Sequence, residues 1–409
     1  MMRGARWAVC AACSWMGVAA LARAAQPVSG APARAGEPAQ KESQPADDSA
    51  SRLVMRSGRE APTGRVERVT DEGVVVVDPG RGERVVPLHF VRAVEGPLSD
   101  AFEARRSVAD DLWRATSRLD RGDAVSAEPI FEALFEARSK GGASGAVGEG
   151  PTSLAIADGL LRCRLRAGAM VSGASAWLAI VAVRPRAEDL PASIDPETLL
   201  CPDLPPIFVD VPSMRSSGAG LDAIADRADG SSVARALAIL YRHELSRAIE
   251  PGNVPALPTI ETTQPGVTLV LAMVRARDAD AGVRVTARAS LAARAAERPG
   301  TWVEAWARIA IARSLAMEGD HESAMRAVAE YLRVPSTLAG VSPSLSGVAL
   351  AEAGVVLSRE GEAAGARALK RELVDGYPGH PAIGMGGLRS IPASEPEGRA
   401  GDASGKAGT

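Results

Sequence analysis

Gly122-Asp123, Gly319-Asp320 and Gly361-Glu362 each stand between two helix-like runs, and Ala127, Ala324 and Ala366 follow five residues after each glycine. A glycine at the turn and an alanine at a fixed distance beyond it put small residues where paired rods press together. The shared phase therefore predicts stacked helical hairpins, with a curved surface left for another polypeptide. A chain of 409 residues exceeds one typical core, so two or more folding units are expected.

The N-terminus carries the three parts of a secretory signal: Arg3 and Arg6, the apolar stretch from Trp7 to Ala22, and the small-x-small site Ala22-Arg23-Ala24. Cleavage is expected near Ala24 or Ala25, which makes residues 1–25 a signal peptide and the mature chain periplasmic or secreted. The alternative is an uncleaved anchor, but the apolar stretch is short for a bilayer span and polar Gln26-Pro27 follows at once. No transmembrane span is expected in the mature chain. Cys10 and Cys13 lie inside the apolar stretch without a Leu three residues upstream, which argues against a lipid anchor.

Removing the signal takes away three arginines and no acid, so the formal charge falls from −3 to −6. A mildly acidic, exported chain is a poor nucleic-acid ligand, because affinity for phosphates rests on neutralising cations. Nearly all the cations are Arg, and with the Ala and Gly content this points to a GC-rich bacterial gene. Cys163 and Cys201 remain after cleavage. An oxidising compartment permits a bond between them; the alternative is two buried apolar thiols.

Residues 26–50 hold Pro, Ala, Gly, Ser and charge with almost no large apolar side chain, and are expected to be a disordered linker. Residues 51–96 are different: short β-branched runs (Arg52 to Arg56, Arg65 to Val69, Val74 to Val77, Arg84 to Leu88, Val91 to Val94) alternate with Gly-containing turns. Short strands at close spacing predict a small closed or nearly closed β-barrel, with Val74 to Val77 its most covered strand. The order of runs and turns resembles the Sm-like small barrels. Some members of that family bind RNA and others are assembly modules; the export signal and the lack of an aromatic cluster beside Phe90 weigh against RNA.

From residue 99 the pattern turns helical. Phe102 to Leu119 and Ser126 to Arg138 form a first expected hairpin, with Ile130, Phe131, Leu134 and Phe135 on one face. Ser153 to Ala167 and Gly173 to Val183 form a second around Gly168, closed by Pro185. Less regular helices are expected at 221–248, 268–277 and 283–297, so that residues 99–298 form a helical region with a Pro-rich insertion at 185–215. Inside that insertion Ile207-Phe208-Val209-Asp210-Val211 is apolar enough to dock.

Residues 299–385 carry the clearest phasing. Ile311, Ala312, Leu315, Gly319, Asp320, Ala324, Val328 and Tyr331, with Pro335 behind them, occupy positions that resemble tetratricopeptide repeats; Gly354, Leu357, Gly361, Ala366, Leu373 and Pro378 do the same in the last unit. Lys370 stands where that family has an apolar residue, and Trp302 and Trp306 flank the slot of its first-helix Trp. The resemblance covers units near 105–138, 152–185, 302–335 and 346–379. The expected fold is thus mainly α, an α-solenoid of tetratricopeptide-like hairpins behind an N-terminal small β-barrel, ending in a disordered tail at 386–409.

No residue cluster commits the chain to a reaction, a cofactor or a metal. His243-Glu244 and His321-Glu322 each begin a zinc-protease helix motif, but Arg247 and Met325 stand where the second imidazole belongs, and a solvated helical His beside an acid is the reading for both. Gly142-Ala143-Ser144-Gly145-Ala146 misses a nucleophile elbow by its last residue. Asp110 and Asp111 are adjacent on a helix and point about 100° apart, so they do not face one cleft. Trp302, Trp306 and Tyr331 are either packing between hairpins or an anchor for a protein or peptide partner. The expected function is an exported, non-enzymatic scaffold mediating protein–protein interaction at the bacterial cell envelope. The alternative is an envelope hydrolase or polysaccharide-binding subunit using Asp195, Glu197 and Asp203 of the Pro-rich arm.

Overall fold

The computed structural model describes residues 51–141, 150–183, 189–208, 219–226, 232–250 and 252–392. The expected signal peptide, the linker at 26–50 and Gly142 to Ala146 lie outside them. The described residues are mainly helical, with a small antiparallel sheet region at the N-terminal side.

Strand β1 (Arg52–Met55) pairs with β5 (Val91–Glu95), Leu53 opposite Val94, and strands β2 (Arg65–Thr70), β3 (Gly73–Asp78) and β4 (Gly82–Val86) form a second, antiparallel sheet in that order. Asp71 and Glu72 make the tight β2–β3 turn. Gly73 is required there, because a Cβ on it would lie 2.2 Å from the Val86 carbonyl oxygen. A register shift between Val66 and Arg68 bulges β2. The expected strands are present as two antiparallel sheets, with no ladder joining them among the described residues. Val74, Val75 and Val76 are buried as their unbroken apolar run predicts. The sheets share one core with Phe102 and Ala109, so they are seated on the first two helices, α1 (Ser99–Glu103) and α2 (Arg106–Asp120).

The helices continue with α3 (Ala124–Gly141), α4 (Pro151–Arg166), α5 (Met170–Ala182), α6 (Ala219–Ala225), α7 (Ser232–Ile249), α8 (Pro265–Arg275), α9 (Ala281–Glu297), α10 (Trp302–Leu315), α11 (His321–Thr337), α12 (Pro343–Arg359), α13 (Ala363–Gly376) and α14 (Gly386–Arg389). From α1 to α13 each helix packs on the next one in the chain. The phased glycines close these turns: Gly122 has φ 88°, Gly168 70°, Gly319 81° and Gly361 84°, the left-handed region that only glycine enters without cost. At the first of them the Gly122 N–H reaches the Leu119 carbonyl and the Asp123 N–H reaches Arg118, the pattern that satisfies a helix's last carbonyls. Asp320 then caps α11 by accepting from the Ser323 N–H at 2.8 Å. Ala127, Ala324 and Ala366 are all buried.

Other expectations shift. Phe102 to Leu119 is broken at Ala104-Arg105 into α1 and α2, and α11 runs through Pro335 to Thr337. The Pro-rich insertion docks over its described part: Ile194, Leu200, Cys201, Leu204, Ile207 and Phe208 are buried in the main core. Residues 386–392 of the expected tail are packed too, with Leu388 and Ile391 buried against α12. Lys370, out of place among apolar positions, donates from Nζ to the Ile391 carbonyl and ties that segment down. Among the described residues no helix is long and apolar enough to cross a membrane.

Candidate functional site

A groove of about 870 Å³ lies where the sheets meet α4. Its position is fixed by Glu72 at the β2–β3 turn. The Glu72 carboxylate accepts from the Ser153 N–H at 2.9 Å and from Arg138 at 3.1 Å, while Thr152 Oγ1 donates to the Glu72 carbonyl (2.8 Å) and accepts from the Leu88 N–H (3.1 Å). Glu72 and Thr152 together satisfy the Ser153 and Leu88 N–H groups, the Arg138 guanidinium and the Glu72 carbonyl, which holds the sheets against the first turn of α4. Arg56 at the end of β1 adds an ion pair with Asp110 on α2.

One wall of the groove is β4 with Pro87, the other is α4 at Leu154, Ala155 and Asp158 with Asp189 and Pro191 of the Pro-rich arm. β4 pairs only with β3, so its outer edge carries alternate N–H and C=O groups without a ladder partner among the described residues. His89 and Phe90 also line the groove, their rings 4.0 Å apart, and the Arg59 guanidinium sits 3.8 Å above the Phe90 ring. Only 7% of His89 is exposed, and its Nδ1 has no hydrogen-bond partner. Burial, helped by the charges of Arg59 and Arg56, lowers its pKa to about 4, so the imidazole is neutral at pH 7. Burial raises the Asp158 carboxyl above its ordinary value, partly offset by Arg162 and by the Ser193 hydroxyl 3.1 Å away. A neutral imidazole and an open strand edge suit a ligand that brings its own hydrogen-bonding backbone.

The aromatic residues singled out in the sequence fall elsewhere. Trp306 is fully buried and donates from Nε1 to the Pro202 carbonyl at 3.1 Å; Trp302 is half-buried and packs edge-on against it at 4.9 Å. Tyr331 is 2% exposed and hydrogen-bonds Glu352. The docked arm covers Trp306, which leaves its ring no open face, and Tyr331 is buried beside Glu352 with only its edge reaching the pocket between α10, α11 and α12. Trp177 and Tyr241 hold the same arm, donating to the carbonyls of Leu199 and Leu204.

The three arm acids do not converge. Asp195 accepts from the Thr198 N–H and hydroxyl at 2.8 and 2.7 Å, Glu197 pairs with Arg298, and Asp203 is exposed. Cys163 and Cys201 are free and buried, and burial pushes their thiols up to about 11 and about 12, so both are inert. His380 accepts from the Ala382 N–H and donates to the Ser344 carbonyl, and exposed His321 pairs with Glu360.

His243 and Glu244, expected to be solvated, are buried instead. The docked arm and neighbouring helices cover α7 on sides that its own periodicity leaves wet. Glu244 pairs with Arg277 at 2.6 Å and lies 3.6 Å from Arg247. Nearby, Arg313 of α10 holds Glu352 of α12 from Nε at 2.9 Å and donates to the Phe208 carbonyl at 3.2 Å. Burial pushes the Glu352 carboxyl up, but the Arg313 charge and hydrogen bonds from Arg313 and Tyr331 more than offset it, leaving its pKa below the ordinary value. This network escaped the sequence reading. Its signal was one Arg inside the apolar run Ile309 to Leu315 and one Glu inside Val348 to Val356. Among the described residues no cluster of His, Cys, Asp or Glu could hold a metal. The chain matches no protein-family model, no curated protein and no solved structure.

Proposed function

We propose that this chain is an exported, non-enzymatic scaffold of the bacterial cell envelope, an α-solenoid of tetratricopeptide-like hairpins carrying a small β module, and that it holds an extended segment of a partner protein. The observation that supports this reading is the free edge of β4 along the groove of about 870 Å³. An added strand is held by main-chain hydrogen bonds, and the pockets beside it select alternate side chains. The sequential packing of helices supports the solenoid, because each unit then needs only its neighbours to bury its apolar face. Of the acids weighed for catalysis, Asp195 closes a local turn on Thr198, Glu197 pairs with Arg298, and Asp203 stands exposed apart from both.

Adjacent residues of an edge strand turn their N–H groups to opposite sides, so Arg84→Pro and Val85→Pro form a paired test. One of them removes a β3 ladder bond and destabilises the module; the other removes only the outward donor. The second is expected to keep the fold and lose the partner. A photo-crosslinker at Arg84 should give a discrete polypeptide adduct in cells, and one at exposed Val374 should not. Equal adducts at both positions, or undiminished adducts with both prolines, would end the reading.

A second reading, a polysaccharide-binding subunit, is favoured by one observation: Asp189 and Pro191 of the Pro-rich arm line the same groove as Asp158. Retention on immobilised cell-wall glycan that is lost in Asp158→Ala would favour it over the peptide.

A further inference from the structure

A second pocket, of about 280 Å³, opens between α10, α11 and α12, and its lining charges do not balance. Arg277, Arg313 and Arg359 face it, with Glu352 as the one lining carboxylate among the described residues. Glu352 is consumed by Arg313, which grips both of its oxygens. Behind Arg277, Glu244 is shared with a second guanidinium, Arg247, whose buried Nε has no hydrogen-bond partner. Asp278 acts on Arg247 but turns a carboxylate oxygen to the Asp280 N–H, 2.9 Å away, and does not line the pocket. Arg359 is exposed and makes no ion pair with a described carboxylate. An arginine cannot relieve such an excess by losing its proton, and its planar fork fits an oxyanion with two acceptor atoms. The remaining wall is largely apolar: Phe208, Val355, Val356 and Met385 line it beside Tyr331, whose hydroxyl is taken by Glu352, and Met317 stands exposed at the mouth. A fully hydrated anion would lose its water against that wall without recompense, whereas an anion on a hydrocarbon body would bury apolar surface there.

We propose that this pocket binds a small carboxylate carried on an apolar body, such as a medium-chain fatty acid. The carboxylate sits between Arg359 and Arg277, and the hydrocarbon lies along Val355, Val356 and Met385. The volume is at the small end of ligand cavities, which limits the ligand to one short chain. The inference stands apart from the β4 groove, since the two sites share no lining residue.

Calorimetry on the mature protein with octanoate is expected to show saturable binding with one site per chain. Octanamide, with the same body and no charge, should bind at least about tenfold more weakly, the scale of one charge-assisted hydrogen bond. Acetate, the charge without the body, should not saturate. Arg359→Gln, on an exposed side chain, should keep the helical circular-dichroism signal and weaken octanoate at least about tenfold. Equal binding of octanoate and octanamide would reduce the site to apolar surface and overturn the proposal. So would saturation by acetate, an adventitious ion only, or the absence of a saturable octanoate isotherm. If Arg359→Gln fails to fold, the three-ligand comparison on the wild-type chain still decides.

Discussion

His89 turns the β-module junction into a measurable pH dependence. Its imidazole has a folded pKa of about 4, against an ordinary value of 6.5, because burial and then the Arg59 and Arg56 charges oppose protonation. Above pH 6.5 the side chain is neutral in both folded and unfolded chains and contributes nothing to pH dependence. Between pH 6.5 and about 4 the unfolded chain binds a proton that the folded chain refuses, so stability falls as pH falls; below about 4 both states bind it and the slope ends. At about 1.4 kcal/mol per pH unit, the full loss from this one group is about 3 kcal/mol. Other groups titrate in the same window, so the measurement is a difference: urea denaturation of wild type and His89→Gln from pH 7.5 to 4.5. The glutamine is neutral throughout and can still hydrogen-bond. The wild type should lose stability relative to the variant by up to about 1.4 kcal/mol per pH unit below pH 6.5. The chain has four histidines, so ring resonances can be assigned, and the His89 ring should remain unprotonated at pH 5. Parallel stability curves, or a His89 resonance titrating near 6.5, would refute the burial argument.

Three further outcomes are expected. Glu352→Gln strands the Arg313 guanidinium in the core and should cost about 3–5 kcal/mol in denaturant unfolding, while the double replacement Arg313→Met with Glu352→Leu recovers most of it; additive losses would show that the pair is solvated. Gly159→Ala gains about 1 kcal/mol of helix propensity, yet its Cβ would lie 2.1 Å from the buried Phe131 ring, so a net loss of about 1–3 kcal/mol is expected and an unchanged midpoint would contradict the close α3–α4 packing. Hydrogen bonds from Arg284 and Arg288 hold the Glu318 carboxyl down to about 2, so its contribution is complete above pH 4.5 and lost as pH falls toward 2; acid unfolding of Glu318→Gln should lack that component.

Local features were legible. Gly122, Gly319 and Gly361 were found because a left-handed residue between helices is a requirement of the turn itself, met wherever the rest of the chain goes. Val74 to Val76 were read as covered because an unbroken β-branched run has no wet face. The junction site was not legible. His89 ends a strand in the sequence, whereas in the fold it lies in a short helical turn packed on α2, buried and with its Nδ1 partnerless. Trp306 and Tyr331 show the same gap from the other side: apolar periodicity marks a face that will be covered, but a core and a partner give the same spacing. Ile207 and Phe208 were read as able to dock, yet the carbonyls that meet Trp306, Tyr241 and Arg313 belong to residues far along the chain.

The sequence by itself determined the helical hairpins, their glycine turns and the short strands, because capping, periodicity and β-branching act over a few neighbouring residues. Only the tertiary structure decided that the strands form two sheets, that the Pro-rich arm closes over α7 and α10, and that Arg313 and Glu352 meet in the core. Those outcomes depend on the dielectric and the partners that distant segments supply, and no window of local sequence contains them.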